Sequence, residues 1–222
     1  MAFDRFIDKS VYQFGLPRSG LYAVAEWYID AIKEACQHQI GGGSKDIYAD
    51  RDDRTSHFIT IEALSIEKVR EGLAHCEKIG AEAWVQLRDP YNWLSSLQQG
   101  INSRAIAWRP ASPLDMWKDY ARHCLNGASY LNYNRWFSDV NYRCELAERF
   151  AFRQHRDGQA WTHVPGRGGG SSFDGERLAD QAQAMAVLAR YARFVDDASW
   201  RALFDDEVIV LAERLFDMKR PW

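Results

Sequence analysis

The chain has four cysteines, Cys36, Cys76, Cys124 and Cys144, and no two of them form a C-x-x-C pair. That spacing argues against a zinc ribbon and a dense disulfide framework. Cys76 and Cys124 fall on apolar helical stripes, where buried thiols belong, and a reducing, cytoplasmic setting fits. No stretch reaches the ~18 consecutive apolar residues of a membrane span. The opening MAFDRFIDKS lacks the apolar centre of a signal peptide. The formal net charge is only -3, so no chain-wide basic footprint for nucleic acid is expected. A local basic pocket is still compatible with that total. His38, His75, His123, His155 and His163 show no metal-ligand spacing. Internal repeats and long low-complexity stretches are also missing.

What is present is an alternation of short apolar runs and helical periods over 222 residues, a length that suggests one domain, 1–222. Such a length buries about 70% of the unfolded surface, so no staples are needed. VYQFG (11–15), HFITIE (57–62), AEAWVQL (81–87) and SYLNY (129–133) read as strands. Helical periods follow each of them. Ser65 is placed to cap one helix and Gly80 to end it. The polar segment 41–56 and the glycine-rich PGRGGGSSFDG (165–175) read as loops. Two helices within 176–217 are expected to pack on the core. One carries Leu178, Ala182, Met185, Ala189 and Ala192; the other carries Trp200, Leu203, Phe204, Leu211 and Leu215. Strands separated by helices predict an α/β fold: three α/β/α layers around a central parallel sheet, like that of P-loop nucleoside triphosphate hydrolases. Ligands of such sheets bind beyond the carboxyl ends of the strands.

The first strand runs into Gly15-Leu-Pro-Arg-Ser-Gly20. A strand, a glycine turn and a helix start place backbone N–H groups around an anion. A triphosphatase loop continues with a lysine for the β- and γ-phosphates and a hydroxyl residue for magnesium. Here those positions hold Leu21 and Tyr22, which disfavours hydrolysis of ATP or GTP. The cation has moved inside the loop, to Arg18, and Ser19 keeps one hydroxyl. The plain alternative is an ordinary strand–turn–helix connection. After the third expected strand, Arg88 is followed eight residues later by Ser96. A forked, permanent cation and a hydroxyl suit phosphate oxygens. Alternatively, Arg88 pairs locally with Asp89 and Ser96 is a surface hydroxyl.

Together, FGLPRSG and LRDPYNWLSS resemble the P-loop sulfotransferases, which use 3′-phosphoadenosine-5′-phosphosulfate (PAPS) as donor. Pro17, Arg18, Ser19 and Gly20 match the family's first motif, P-[KR]-x-G-T-T-W, which cradles the 5′-phosphosulfate with its flanking residues, here from Gly15 to Tyr22. Leu21 and Tyr22 depart from it, since the family has hydroxyl residues there. Arg88 and Ser96 match the pair that holds the 3′-phosphate. SYLNYNRW is similar to the family's strand ending in Tyr-Glu-Asp, so the resemblance puts Tyr133 near the adenine; Asn134 and Arg135 replace the acidic pair. The glycine-rich loop resembles the one that closes over the 3′-phosphate, with Arg167, Gly168 and Gly169 as contacts.

The resemblance implies a sulfotransferase that binds PAPS, releases adenosine 3′,5′-bisphosphate (PAP) and needs no metal. The acceptor would be a hydroxyl or amine of a small molecule or carbohydrate, with neither nucleic acid nor membrane as partner. Arg18 would stabilise the leaving phosphate. Relatives place a His or Glu near the end of the second strand as general base, which selects Glu62 first and His57 second. Glu62 also reads as a group neutralising the next helix start. Trp93, Trp108, Trp136 and Trp161 are candidates for lining the acceptor pocket or for core. Two other readings stay open: a P-loop small-molecule or nucleotide kinase, and a catalytically silent donor-binding or interaction module of the same fold.

Overall fold

The computed structural model describes residues 11–31, 36–40, 57–103, 110–149, 171, 173–174, 178, 181 and 184–222. Within them lie five parallel strands: β1 (Val11–Gly15), β2 (Cys36–Ile40), β3 (His57–Glu62), β4 (Glu82–Leu87) and β5 (Tyr130–Asn132). They are ordered β2-β3-β1-β4-β5. β1 is central, pairing with β3 on one side and β4 on the other. Its connections to both neighbours cross over through helices, as parallel pairing requires.

Side chains alternate along each strand and build two cores. Tyr12, Phe14, Ile59, Ile61, Val85 and Leu87 face one layer, formed by α2 (Ile66–Ile79), α3 (Pro90–Asn102), α4 (Pro113–Leu125) and α8 (Asp206–Phe216). Val11, Phe58, Trp84 and Leu131 face the other, formed by α1 (Leu21–Ala31), α5 (Tyr133–Ser138) and α6 (Val140–Arg149). The expected three-layer α/β/α fold with a parallel sheet is therefore the observed one.

Local chemistry sets the helix ends. Ser65 Oγ accepts from the Lys68 N–H at 3.3 Å, and Gly80 ends α2 in the left-handed region at φ 68°. Asp89 caps α3 by accepting from the Asn92 N–H at 2.8 Å, with Pro90 in the first turn. In the last helices, Lys118 of α4 pairs with Asp205, the N-cap of α8, at 2.8 Å. The Asn132 side chain donates to the Leu215 carbonyl at 2.9 Å.

Several boundaries differ from the sequence expectation. Cys36–Ile40 is a strand at the sheet edge, although CQHQI carries no clear strand pattern. Asn132 caps α5 through the Arg135 N–H, so the fifth strand stops there and Tyr133 is already helical. The first of the two final helices is not a continuous α-helix. Its described part is a 3-10 helix, Val187–Arg193, broken at Ala189 (φ -130°). The second divides into α7 (Ala198–Arg201) and α8, because Asp205 caps a new start; Leu203 between them is half exposed.

Candidate functional site

β1 ends at Gly15, the chain turns through Leu16–Gly20, and α1 begins at Leu21. The Ser19 N–H closes the turn on the Leu16 carbonyl at 3.1 Å. Two positions need backbone conformations that L-residues avoid: Gly20 at φ 89° and Arg18 at φ 66°. Gly20 is fixed a second way, since a Cβ there would lie 2.2 Å from the Tyr133 ring. Arg18 has no such licence, and strain of this kind concentrates at ligand-binding turns. Leu21 is buried and packs over Gly15, whose own Cβ would meet the Leu21 side chain at 2.8 Å. The apolar residue in the lysine position thus points into the core. Ser19 is buried, and its hydroxyl has no hydrogen-bond partner. An orphaned buried hydroxyl at the foot of a glycine turn suits a ligand oxygen.

Glu62 ends β3 in register with Gly15 of β1. Burial raises its pKa, and the nearby Arg18 charge opposes that rise. Burial also lowers the Arg18 pKa; Glu62 opposes this and Arg88 adds to it. Three charged side chains from three strand ends therefore meet at the carboxyl edge of the sheet. His57 is not among them. It starts β3, five residues before Glu62, so its backbone lies about 17 Å away at the opposite edge.

Beyond β4, Arg88 is only 2% exposed and Ser96 is fully buried. Arg88 Nη1 donates to Ser96 Oγ at 3.0 Å, and Nη2 donates to the Val187 carbonyl. The Arg88 guanidinium lies over the Tyr133 ring, 5.2 Å from its centroid. A second guanidinium reaches the same hydroxyl. Arg190, on the 3-10 helix, donates to Ser96 Oγ at 2.9 Å and to Ser171 Oγ at 2.8 Å. Ser96 completes its bonding by donating to the Asn92 carbonyl at 2.9 Å. Asn92 holds the 3-10 helix in place: its Oδ1 accepts from the Arg190 N–H at 2.7 Å and its Nδ2 donates to the Leu188 carbonyl at 3.1 Å.

Both arginines are buried, and burial lowers the pKa of each; for Arg190 the Arg88 charge lowers it further. Guanidinium groups nonetheless remain cations at neutral pH. Among the described residues no carboxylate lies within ion-pair distance of either. Asp89 is within electrostatic reach of Arg88, but its oxygens accept from Asn92 and Asn134. Asp174 is within reach of Arg190, but it accepts from the Ser171 hydroxyl at 3.0 Å. Arg88 Nε has no hydrogen-bond partner. Among the described residues the two buried cations meet only neutral oxygens, a costly arrangement. The geometry suits an anion that would supply the missing charge.

No family model matches the sequence, and no curated protein matches it. The folded chain, by contrast, superposes on the crystal structure of mouse sulfotransferase SULT7A1, solved in complex with PAP. The TM-score is 0.58 at 13% sequence identity, covering 97% of this chain and 88% of the other. The fold is that of a sulfotransferase. At this identity the likeness concerns the fold, and it agrees with the one that the loop and the Arg88–Ser96 pair pointed to.

In this sulfotransferase fold, Gly15, Pro17, Arg18, Ser19, Gly20, Glu62, Arg88, Ser96 and Tyr133 gather at one sheet edge. Tyr22, half-buried in the first turn of α1, lies within electrostatic reach of Arg18. Trp93 and Trp136 are fully buried, so neither lines an open acceptor pocket. Arg167, Gly168, Gly169, Trp108, Trp161 and the 41–56 segment lie outside the described residues. Among the described residues no cluster of His, Cys, Asp and Glu could hold a metal ion, and no helix is long and apolar enough to cross a membrane.

Sequence reasoning missed Arg190, Ser171 and Asn92. Asn92 carried a faint signal, three residues after the capping Asp89. Arg190 carried none, since AVLARYARF reads as an ordinary amphipathic stretch.

Proposed function

We propose that this chain is a sulfotransferase that moves a sulfuryl group from PAPS to a hydroxyl or amine of a small-molecule or carbohydrate acceptor. The observation that carries the reading is the pair of buried guanidiniums converging on Ser96 with no carboxylate partner among the described residues. An adenosine 3′-phosphate fits that deficit, since a phosphomonoester brings up to two negative charges and several acceptor oxygens. Arg88 and Arg190 would hold it, with Tyr133 beneath Arg88, and Ser96 would join them by turning its hydroxyl from the Asn92 carbonyl to a phosphate oxygen. The 5′ end would then lie toward the loop, where Ser19 offers a hydroxyl and the α1 N-terminus offers N–H groups.

PAPS supplies an activated sulfuryl group whose transfer leaves charge on the 5′-phosphate. Arg18 would stabilise that charge from the loop, an electrostatic role that rises as the bond breaks. Glu62, with its pKa raised by burial, would take the acceptor proton; a base nearer neutrality is the more effective one. The silent donor-binding alternative draws on one observation. Leu21 buries an apolar side chain where the resembled motif has a hydroxyl, removing a contact worth about 0.5–1.5 kcal/mol.

Calorimetry tests the reading. PAP is expected to bind without magnesium and at least ~10-fold more tightly than adenosine 5′-phosphate, a difference of about 1.4 kcal/mol. No binding of PAP at high micromolar concentration overturns it. Magnesium-dependent ATP binding in its place favours a kinase. PAP binding without transfer of radiolabelled sulfuryl to any of a panel of alcohols, amines and sugars favours the silent module.

A further inference from the structure

Parallel strands buried on both faces are ordinarily apolar throughout. Here one face breaks that rule in a single row. Above Val11, Phe58 and Trp84, at the level of the phosphate loop, stand Gln13, Thr60 and Gln86, all fully buried. Gln13 and Thr60 are in register on adjacent strands, and Gln86 pairs with Gly15. They form one directed chain. Thr60 Oγ1 donates to Gln13 Oε1 at 3.4 Å, Gln13 Nε2 donates to Gln86 Oε1, and Gln86 Nε2 donates to the Ser19 carbonyl at 2.8 Å.

The direction of this chain is forced. A carbonyl has no proton, so the Ser19 oxygen must meet the Gln86 amide nitrogen. The Gln86 oxygen must then accept from Gln13, and the Gln13 oxygen from a hydroxyl. Aligned bonds of this kind polarise one another. A second buried donor acts two residues earlier: Trp93 Nε1 donates to the Pro17 carbonyl at 2.8 Å.

These two donors fix alternate peptide groups of the loop. None of the described peptide bonds is cis. In a trans peptide the carbonyl and the following N–H point in opposite directions. Holding the Ser19 carbonyl toward Gln86 therefore turns the Gly20 N–H away from the sheet side chains. Holding the Pro17 carbonyl toward Trp93 does the same for the Arg18 N–H. Among the described residues neither N–H has a hydrogen-bond acceptor, whereas the intervening Ser19 N–H is used inside the turn.

We infer that Gln86, braced by Gln13 and Thr60, is a positioning residue. It keeps the Ser19 carbonyl out of the anion site and aims the Gly20 N–H at the 5′-phosphate end of the donor. The inference rests on the donor-binding reading above and deepens it.

The test is calorimetry of wild type and Gln86→Leu with PAP, adenosine 5′-phosphate and adenosine 3′-phosphate. The Leu side chain is close in size and lacks the donor. PAP and adenosine 5′-phosphate are expected to weaken ~10-fold, about the worth of one such hydrogen bond, while adenosine 3′-phosphate is unchanged. The Gly20 amide resonance should shift on titration of the wild type with adenosine 5′-phosphate and shift less in the variant. Equal losses for all three ligands, or none, overturn the inference and leave the donor-binding reading intact. If the wild type binds none of them, both fall. Thr60→Val, which cuts only the far end of the chain, guards against a variant that fails to fold. It should give a smaller loss in the same two ligands, and an equal loss in all three counts against the inference.

Discussion

Arg190 donates to the Ser96 hydroxyl at 2.9 Å across 94 residues of sequence, beside the 3.0 Å bond that Arg88 makes to the same oxygen. One hydroxyl thus stands between two buried cations that repel each other. Such an arrangement lowers the stability of the unliganded protein and favours an anion that joins it.

Arg190→Met removes one of the two like charges and keeps an apolar stem. The unliganded protein is expected to hold or gain stability, by about 1 kcal/mol or more, as when buried charges are replaced by packed apolar groups. The thermal shift given by saturating PAP should shrink at the same time. Scanning fluorimetry with and without PAP reads both effects. A lower unliganded Tm with an undiminished PAP shift would contradict the assignment.

Arg88→Lys keeps a charge but loses the fork that serves Ser96 and the Val187 carbonyl together. PAP binding should fall by roughly 10–100-fold, the range of one charge-assisted contact, with adenosine 5′-phosphate little changed. Competition binding with the two ligands checks this. Parallel losses would refute a role confined to the 3′-phosphate.

Gly20→Ala must hold φ 89° with a Cβ 2.2 Å from the Tyr133 ring. Left-handed strain and overpacking together should cost about 2–5 kcal/mol. Urea denaturation measures it. Adding Tyr133→Ala should recover the overpacking part and leave the backbone part, so the two substitutions are expected to be non-additive.

Glu62 binds its proton more tightly in the folded protein than in the unfolded chain, because burial outweighs the attraction of Arg18. Between the unfolded and folded pKa the native state carries more protons, so stability falls as pH rises through that window. Above the folded pKa the full cost is present. Glu62→Gln should flatten this decline, measured as unfolding free energy against pH. Sulfuryl transfer should increase with pH through the same folded pKa, and that limb should vanish in Glu62→Gln.

The strand-ending loop and the Arg88–Ser96 pair were legible because their geometry is local. A glycine turn after an apolar strand, and a hydroxyl eight residues after an arginine at a strand end, place themselves from sequence spacing alone. The edge strand Cys36–Ile40 was not legible, since CQHQI alternates no clear apolar face and earns its conformation only by pairing with β3. The broken course of residues 187–193 was hidden too. Its sequence favours an α-helix, and the bonds from Asn92 and Arg88 to the 3-10 segment hold it otherwise.

The sequence alone carried the alternation of helices with β1, β3, β4 and β5, the presence of a glycine turn at Gly15–Gly20 and the Arg88–Ser96 spacing. Each depends on residues within about two helical turns of one another, where local sterics and hydrogen bonding decide the outcome. Only the tertiary structure decided that Arg190 shares Ser96 with Arg88, that Tyr133 closes on Gly20, and that Gln86 holds the Ser19 carbonyl. Those contacts join chain segments that nothing local brings together; the sheet order and the packing of the helices on its two faces set their distances.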